Sequence, residues 1–189
     1  MAKLALTTAA AALLTAGTAA AQVFGPTYGT DLDRDQFNTA FGDTGYYGAL
    51  DSDRDAMLNQ REYATGLYAD FDRDDDLRIS EEEYIAGAQR YRGADAEMTP
   101  FADYDADASG FIEQTEFRTM YDSGYNDDFV SFDGDGDGML SQEEYSTKLY
   151  DRADLDRNQV ISIEEEGLFE GWFDGDDVEA EIESVGEVY

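Results

Sequence analysis

The sequence predicts an all-α fold in which helices are joined by acidic loops, with very short β contacts between paired loops. Two observations lead to this prediction: an acidic pattern of twelve residues recurs five times, and apolar or aromatic residues three apart precede most copies. Residues three apart lie on one face of a helix, so we expect a helix to enter each acidic segment. An aliphatic residue inside each copy fits a short strand shared between two loops.

The composition is strongly acidic and lacks two reactive residue types. Of 189 residues, 45 are Asp or Glu and 12 are Lys or Arg, which gives a net charge of -33, and there is no Cys or His. This charge disfavours nucleic acids and anionic membranes as partners. The missing residues exclude disulfides, thiolate or imidazole metal sites and imidazole-dependent nucleophiles. The metals that suit the remaining oxygen ligands are hard cations such as calcium, magnesium or manganese.

The N-terminus is typical of a secretory signal peptide spanning residues 1–21. Lys3 precedes a weakly apolar run of Ala, Leu and Thr, and Ala19 and Ala21 provide the small residues before a cleavage site at Gln22. The alternative is a membrane anchor, but Thr and Gly residues dilute a stretch that would barely span a bilayer of about 30 Å. We therefore expect a periplasmic or secreted bacterial protein without a membrane anchor after cleavage.

The repeated pattern has acidic residues at positions 1 and 3, a polar oxygen at position 5, an aliphatic residue at position 8 and Glu at position 12. We number the loops one to five as residues 51–62, 72–83, 105–116, 133–144 and 154–165. In the order of those positions, they contain Asp51, Asp53, Asp55, Leu58 and Glu62; Asp72, Asp74, Asp76, Ile79 and Glu83; Asp105, Asp107, Ser109, Ile112 and Glu116; Asp133, Asp135, Asp137, Leu140 and Glu144; and Asp154, Asp156, Asn158, Ile161 and Glu165.

An Asp-rich chain could match such a pattern by accident, with the acidic runs serving only as a solvated surface. The flanking residues argue against this alternative. Four residues before the loops, the chain has only aromatic residues, which are Tyr47, Tyr68, Phe101, Phe129 and Tyr150. An aromatic residue also follows Glu at position 12 in the first four loops, where a second helix is expected to begin.

The five loops and their flanks resemble the EF-hand superfamily, over residues 36–173, and the chain looks like a secreted bacterial multi-EF-hand protein. The resemblance implies that each loop binds one Ca²⁺ through side chains at positions 1, 3 and 5, both oxygens of the Glu at position 12, and the backbone carbonyl at position 7. The residues at position 7 are Met57, Arg78, Phe111, Met139 and Val160.

The loops depart from the family pattern at position 6, where Gly is expected because the backbone there has a positive φ. Only Gly110 and Gly138 comply; Ala56, Leu77 and Gln159 occupy the other loops. A residue with a Cβ in that conformation costs about 1 to 2 kcal/mol, which weakens binding about tenfold. We therefore expect the third and fourth loops to bind best. Further Asp clusters at 31–35 and 174–176 start the pattern but lack an acid at position 12, which indicates either surface decoration or decayed repeats.

Loop spacing predicts the helix arrangement. Nine residues separate the first loop from the second, and the fourth from the fifth, so one helix must serve both loops, at Tyr63 to Phe71 and at Tyr145 to Ala153. The second and third loops are separated by 21 residues, enough for a helix, a turn and a helix, and we expect them to pair through Ile79 and Ile112. Five loops cannot all pair with one another, and the sequence leaves open which one is single.

The predicted organisation is a signal peptide at 1–21, an N-terminal segment at 22–35 that can be flexible, a helical domain at 36–173, and an acidic tail at 174–189. The domain is expected to be one compact unit or two lobes hinged near Gly93. The sequence predicts calcium binding in an exported protein that acts as a buffer, a store or a calcium-stabilised interaction module, with any protein partner unidentified.

Two other function classes are less favoured by the sequence. The first is a calcium-switched sensor that exposes an apolar groove to a protein target. Such grooves tend to be rich in Met, but the mature chain has only Met57, Met98, Met120 and Met139. The second is an enzyme. Nearly all clustered carboxylates already belong to a loop and no pair of nucleophile and base is found, so no catalytic activity is expected.

Overall fold

The computed structural model describes Phe24, residues 31–92, residues 97–169, Ile182, Val185 and Gly186. These residues are mainly helical, with very short strands, as predicted. The α-helices are α1 Arg34–Thr44, α2 Tyr46–Leu50, α3 Gln60–Phe71, α4 Glu81–Arg92, α5 Gln114–Met120, α6 Asn126–Phe132, α7 Gln142–Ala153 and α8 Ile163–Glu166. The strands are β1 Asp31–Leu32, β2 Ile79–Ser80, β3 Phe111–Ile112 and β4 Ile161–Ser162. The predicted signal peptide, Gly93 and most of the predicted tail lie outside the described residues.

The two shared helices are present where the loop spacing predicts them. α3 connects the first loop to the second, and α7 connects the fourth loop to the fifth. Their N-termini are closed by capping boxes, formed by Asn59 with Glu62 and by Ser141 with Glu144. Such boxes satisfy backbone N–H groups that have no partner inside the helix. The residue at position 9 of these two loops is thus the N-cap of the helix that follows.

The segment before the third loop differs from the predicted helix. It forms only a 3-10 turn over Phe101–Asp103, which follows Pro100 in an extended conformation. Proline disfavours helical conformation in the residue before it, so the turn cannot be extended backwards. The few residues left before Asp105 are too short for a regular α-helix. After the third loop, a π-helical turn at Tyr121–Tyr125 joins α5 to α6.

The loops are joined in pairs through their residues at position 8. Ile79 pairs with Ile112 in an antiparallel sheet, which confirms the predicted contact between the second and third loops. Leu58 and Leu140 form an isolated antiparallel bridge between the first and fourth loops. The fifth loop pairs with the N-terminal segment, because Ile161 lies opposite Leu32 in the sheet of β1 and β4.

This last contact corrects the prediction for the N-terminal segment. Leu32 occupies the place of a position-8 residue, and Asp33 caps α1 with its side chain accepting from the Gln36 backbone N–H at 2.9 Å. The Asp cluster at 31–35 therefore corresponds to the end of a loop, whereas the sequence pattern had suggested the start of one. Because α1 begins at Arg34, the helical part of the chain also begins before the predicted boundary at residue 36.

The buried side chains form one hydrophobic cluster rich in aromatic rings. Tyr63 packs edge-on against Phe132 with ring centroids 5.7 Å apart, and Phe37 packs edge-on against Tyr150 at the same distance. Helices α1, α3, α6 and α7 thus all contribute side chains to this one cluster. No helix among the described residues has both the length and the apolar character needed to cross a membrane.

Candidate metal centre

Each of the five loops brings three carboxylates together. In every group, one oxygen from each residue lies within 4.8 Å of the others. Four loops contribute positions 1, 3 and 12, namely Asp51, Asp53 and Glu62; Asp105, Asp107 and Glu116; Asp133, Asp135 and Glu144; and Asp154, Asp156 and Glu165. The second loop contributes positions 1, 3 and 5, which are Asp72, Asp74 and Asp76. The predicted ligands at positions 1 and 3 therefore converge in all loops, and Glu83 is outside the group of its loop.

In four of the loops, the residue at position 1 ends the helix that enters the loop. Asp51, Asp72, Asp133 and Asp154 are the C-terminal caps of α2, α3, α6 and α7. Their side chains then accept hydrogen bonds from the backbone further along the loop. Asp133 shows the pattern, with Oδ1 accepting from the Asp137 N–H at 3.1 Å and Oδ2 accepting from the Gly138 N–H at 2.9 Å. These bonds fold the loop around the first carboxylate.

The Glu at position 12 closes the loop from its other end. In the fourth loop, Glu144 Oε1 accepts from the Gly134 N–H at 2.9 Å, and Oε2 accepts from the Ser141 N–H at 2.9 Å. The same two contacts occur at Glu62, Glu83, Glu116 and Glu165. Each Glu thus reaches across its loop from the first turn of a helix, with both oxygens held in place.

Positions 5 and 7 form a local turn in four of the loops. The backbone N–H at position 7 donates to the side-chain oxygen at position 5, at 2.9 Å from Met57 to Asp55 and at 2.8 Å from Met139 to Asp137. Phe111 and Val160 make the equivalent bonds to Ser109 and Asn158. The second loop differs, because the Arg78 guanidinium at position 7 donates to Asp76 Oδ2 at 2.7 Å.

The side chain of Arg78 places a positive charge next to the carboxylates of the second loop. Its guanidinium also lies over the ring of Phe111 in the third loop, 4.1 Å from the ring centroid. Burial raises the pKa of Asp72 to about 6 in this loop, although hydrogen bonds from the Leu77 and Asp76 N–H groups act in the opposite direction. The Arg78 guanidinium therefore offsets part of the negative charge of the four clustered Asp residues.

The Glu residues of the fourth and fifth loops show the opposite electrostatic effect. Burial raises the pKa of Glu144 and of Glu165, but hydrogen bonds from Ser141 and Ser162 and from loop N–H groups outweigh it. The net pKa of both groups is lower than the ordinary value for Glu. Both carboxylates are therefore held in the charged form, which is the form that binds a cation.

Position 6 has a left-handed backbone in all five loops, as expected from the family pattern. The φ angles are 70° at Ala56, 65° at Leu77 and 69° at Gln159, compared with 88° at Gly110 and 85° at Gly138. A second left-handed position, position 4, was not predicted; it is occupied by Arg54, Asp75, Ala108, Gly136 and Arg157. The glycine at residue 136 was the sequence feature that could have indicated this second left-handed position. Only the fourth loop has Gly at both positions, so it is the least strained of the five.

Two tyrosine hydroxyls also reach the loop backbone, a feature that was not predicted from the sequence. Tyr68, four residues before the second loop, donates to the Leu77 carbonyl at 2.7 Å. Tyr47, in the same place before the first loop, lies 3.1 Å from the Ala56 carbonyl and 2.7 Å from the Leu140 carbonyl.

No protein-family model matches the chain, and no curated protein and no solved structure is similar enough to it to count as a match.

Proposed function

We propose that the chain binds calcium ions through its five acidic loops, in the manner of an EF-hand protein. The observation that supports this proposal most strongly is the convergence of three carboxylate oxygens within 4.8 Å in each loop. Calcium takes six to eight oxygen ligands and tolerates irregular geometry, which suits a site of carboxylates, carbonyls and hydroxyls. The absence of Cys and His from the sequence leaves no nitrogen or sulfur side chain of the kind preferred by zinc or copper.

The electrostatics also support a bound cation. Carboxylates at contact distance repel one another, and a net charge of -33 adds a long-range repulsion that opposes folding. A divalent ion at each loop would remove much of this repulsion. The third and fourth loops contain no Lys or Arg and have Gly at position 6, so we propose them as the tightest sites.

We propose a role as an exported buffer, store or calcium-stabilised module in preference to a sensor. A sensor needs an apolar groove that opens on binding, commonly one rich in Met. In the described part of the chain, Met120 is buried in an aromatic core, and the exposed large apolar side chains are Leu77, Ile85, Val130 and Leu155. Export is proposed from the signal-peptide pattern of residues 1–21, and no catalytic step is proposed.

Thermal unfolding of the mature chain with calcium and with a chelator tests the proposal. An ion present at one hundred times its dissociation constant stabilises the folded chain by about 2.7 kcal/mol per site. For a domain of this size, that corresponds to a rise in Tm of roughly 5 to 10 °C for each tight site. Magnesium at the same concentration is the control for a general charge effect, and it should give a smaller rise because it demands octahedral geometry and loses water reluctantly. Identical melting curves in calcium and in chelator would refute the proposed function.

A further inference from the structure

The aromatic residue that stands four residues before each loop differs according to which residue occupies position 6 of that loop. Where position 6 is Gly, the aromatic residue has no hydroxyl; where position 6 carries a side chain, the aromatic residue is tyrosine. The pairs are Phe101 with Gly110, Phe129 with Gly138, Tyr47 with Ala56, Tyr68 with Leu77, and Tyr150 with Gln159. Phe and Tyr are similar in volume, so this difference adds or removes a hydrogen-bond donor with little change in packing.

Tyr68 shows what the hydroxyl does in the second loop. The side chain is fully buried, and its hydroxyl donates to the Leu77 carbonyl at 2.7 Å. On the other side of the same residue, the Leu77 N–H donates to Asp72 Oδ2 at 2.8 Å. Hydrogen bonds thus hold both the carbonyl and the N–H of Leu77. Its φ is 65°, a conformation that is unfavourable for a residue with a Cβ.

A return of Leu77 to an ordinary negative φ would have two consequences. It would turn the carbonyl away from Tyr68 and leave a buried hydroxyl without that acceptor, which is costly in a protein interior. It would also displace the N–H that fixes Asp72, the first carboxylate of the loop. The hydroxyl therefore opposes the conformational relaxation that the missing glycine would otherwise permit.

Tyr47 makes the related contact in the first loop. Its hydroxyl lies 3.1 Å from the carbonyl of Ala56, whose φ is 70°. It lies closer, at 2.7 Å, to the carbonyl of Leu140 in the fourth loop. One hydroxyl therefore spans the left-handed residue of one loop and the strand residue of another.

We propose that Tyr68 and Tyr47 are positioning residues that hold a non-glycine residue in the left-handed conformation at position 6, and so keep the carboxylates of the first two loops in register for a cation. Only the part of this inference that concerns the cation rests on the proposed function. The part that concerns loop conformation holds for the chain with or without an ion. Tyr150 is different, because its buried hydroxyl has no hydrogen-bond partner within the described residues.

The test uses four chains, which are the parent, Tyr68→Phe, Leu77→Gly and the double variant. Hydrogen exchange at the amide of residue 77 is measured by NMR, both in chelator and at saturating calcium. If the chain unfolds in chelator, the measurement at saturating calcium still gives the exchange rate of the folded state. Calcium titrations that follow the same amide give the affinity of the second loop. Tyr150→Phe, observed at the amide of Gln159, is the matched control.

With Leu at position 77, Tyr68→Phe should accelerate exchange about fivefold or more and weaken calcium binding in the second loop by a similar factor, as expected for one buried hydrogen bond. In the Leu77→Gly background, the same substitution should change both quantities less than twofold, because glycine populates the left-handed region without the hydroxyl. Tyr150→Phe should leave the exchange of Gln159 unchanged.

Equal effects of Tyr68→Phe in the parent and in the Leu77→Gly background would show that the hydroxyl does not act on the left-handed residue, and would overturn the inference. So would the absence of any effect in the parent background. A chain that shows the exchange pattern but binds no calcium would support the positioning role and remove the proposed function. A chain that binds calcium without the exchange pattern would keep the function and remove the positioning role.

Discussion

Leu58 and Leu140 exchange both of their backbone hydrogen bonds, each at 2.8 Å, and so join the first acidic loop to the fourth. Both side chains are fully buried in the aromatic core. Each residue immediately precedes the helix cap of its loop, and the cap is bonded to the Glu at position 12. A change at one carboxylate site can therefore reach the other through a few rigid contacts.

The first prediction is that these two loops bind cations in a coupled way. Glu62→Gln should weaken calcium binding in its own loop and also in the fourth loop, there by about fivefold, because coupling free energies between sites are commonly 1 to 3 kcal/mol. The amide of Gly138, which donates to Asp133, reports on the fourth loop in an NMR titration. Glu83→Gln is the control, since its loop pairs with the third. An unchanged Gly138 titration in Glu62→Gln would exclude coupling through the Leu58–Leu140 bridge.

The second prediction concerns Arg78, the basic residue at position 7 of the second loop. Arg78→Gln should strengthen calcium binding in this loop about three- to fivefold, because it removes a guanidinium that is partly exposed and bonded to Asp76. Arg73→Gln makes the same charge change at position 2 of the loop and should have a smaller effect. The titration follows the amide of Leu77. If the two variants strengthen binding equally, the effect is one of net charge and does not depend on the bond to Asp76.

The third prediction is that the stability of the calcium-free chain falls as pH rises from 5 to 7. Asp70 accepts hydrogen bonds from Tyr46 at 2.8 Å and from Tyr91, and Arg90 is close enough to act on it. Burial raises the pKa of Asp70 to about 6 against these three groups. A raised pKa gives stability that is complete below the unfolded pKa of about 3.9 and is lost as pH rises through the folded value.

The expected loss from Asp70 between pH 5 and 7 is about 1 kcal/mol in the free energy of unfolding, and Asp72, whose pKa is also raised to about 6 by burial, adds to this loss. Urea unfolding in chelator, at constant ionic strength, measures it. Glu144 and Glu165 have lowered pKa values, so their contribution is lost only at pH values below the ordinary Glu pKa of about 4.3 and stays outside this range. Asp70→Asn should reduce the dependence by about 1 kcal/mol and leave the share of Asp72. A slope that is the same in Asp70→Asn and in the parent would contradict this assignment.

The fourth prediction ranks the loops. Glu144→Gln should lower the number of tightly bound calcium ions by one, whereas Glu83→Gln should affect only a weak phase. Gln preserves size and helix propensity, so the change isolates coordination from packing. Glu143→Gln is the matched control, because Glu143 is exposed one residue earlier on α7. Loss of a tight ion in Glu83→Gln, with no loss in Glu144→Gln, would mean that local charge determines affinity more than backbone strain does.

Much of the architecture could be predicted from spacing alone. Nine residues between two loops cannot hold two helices, which is why the helix from Tyr63 to Phe71 was predictable. The contact between Ile79 and Ile112 followed from the longer separation of their loops. The convergence of the carboxylates at positions 1 and 3 was predictable for the same reason, whereas the group of the second loop contains Asp76 at position 5 and not Glu83 at position 12.

Other features depend on contacts that a spacing rule does not contain. The pairing of Leu32 with Ile161 was missed because the segment keeps only the end of the loop pattern. Residues Leu32, Asp33 and Gln36 occupy the same relative places as Leu58, Asn59 and Glu62, and this was the available signal. The bond from Arg78 to Asp76 could not be predicted, because only the position-7 carbonyl was assigned a role.

Calorimetric titration of the mature chain with calcium counts the ions that the acidic loops bind. We expect a tight class of two ions, assigned to the third and fourth loops, followed by weaker binding to a total of no more than five ions per chain. A titration that shows less than one bound calcium ion per chain at millimolar calcium would contradict this expectation.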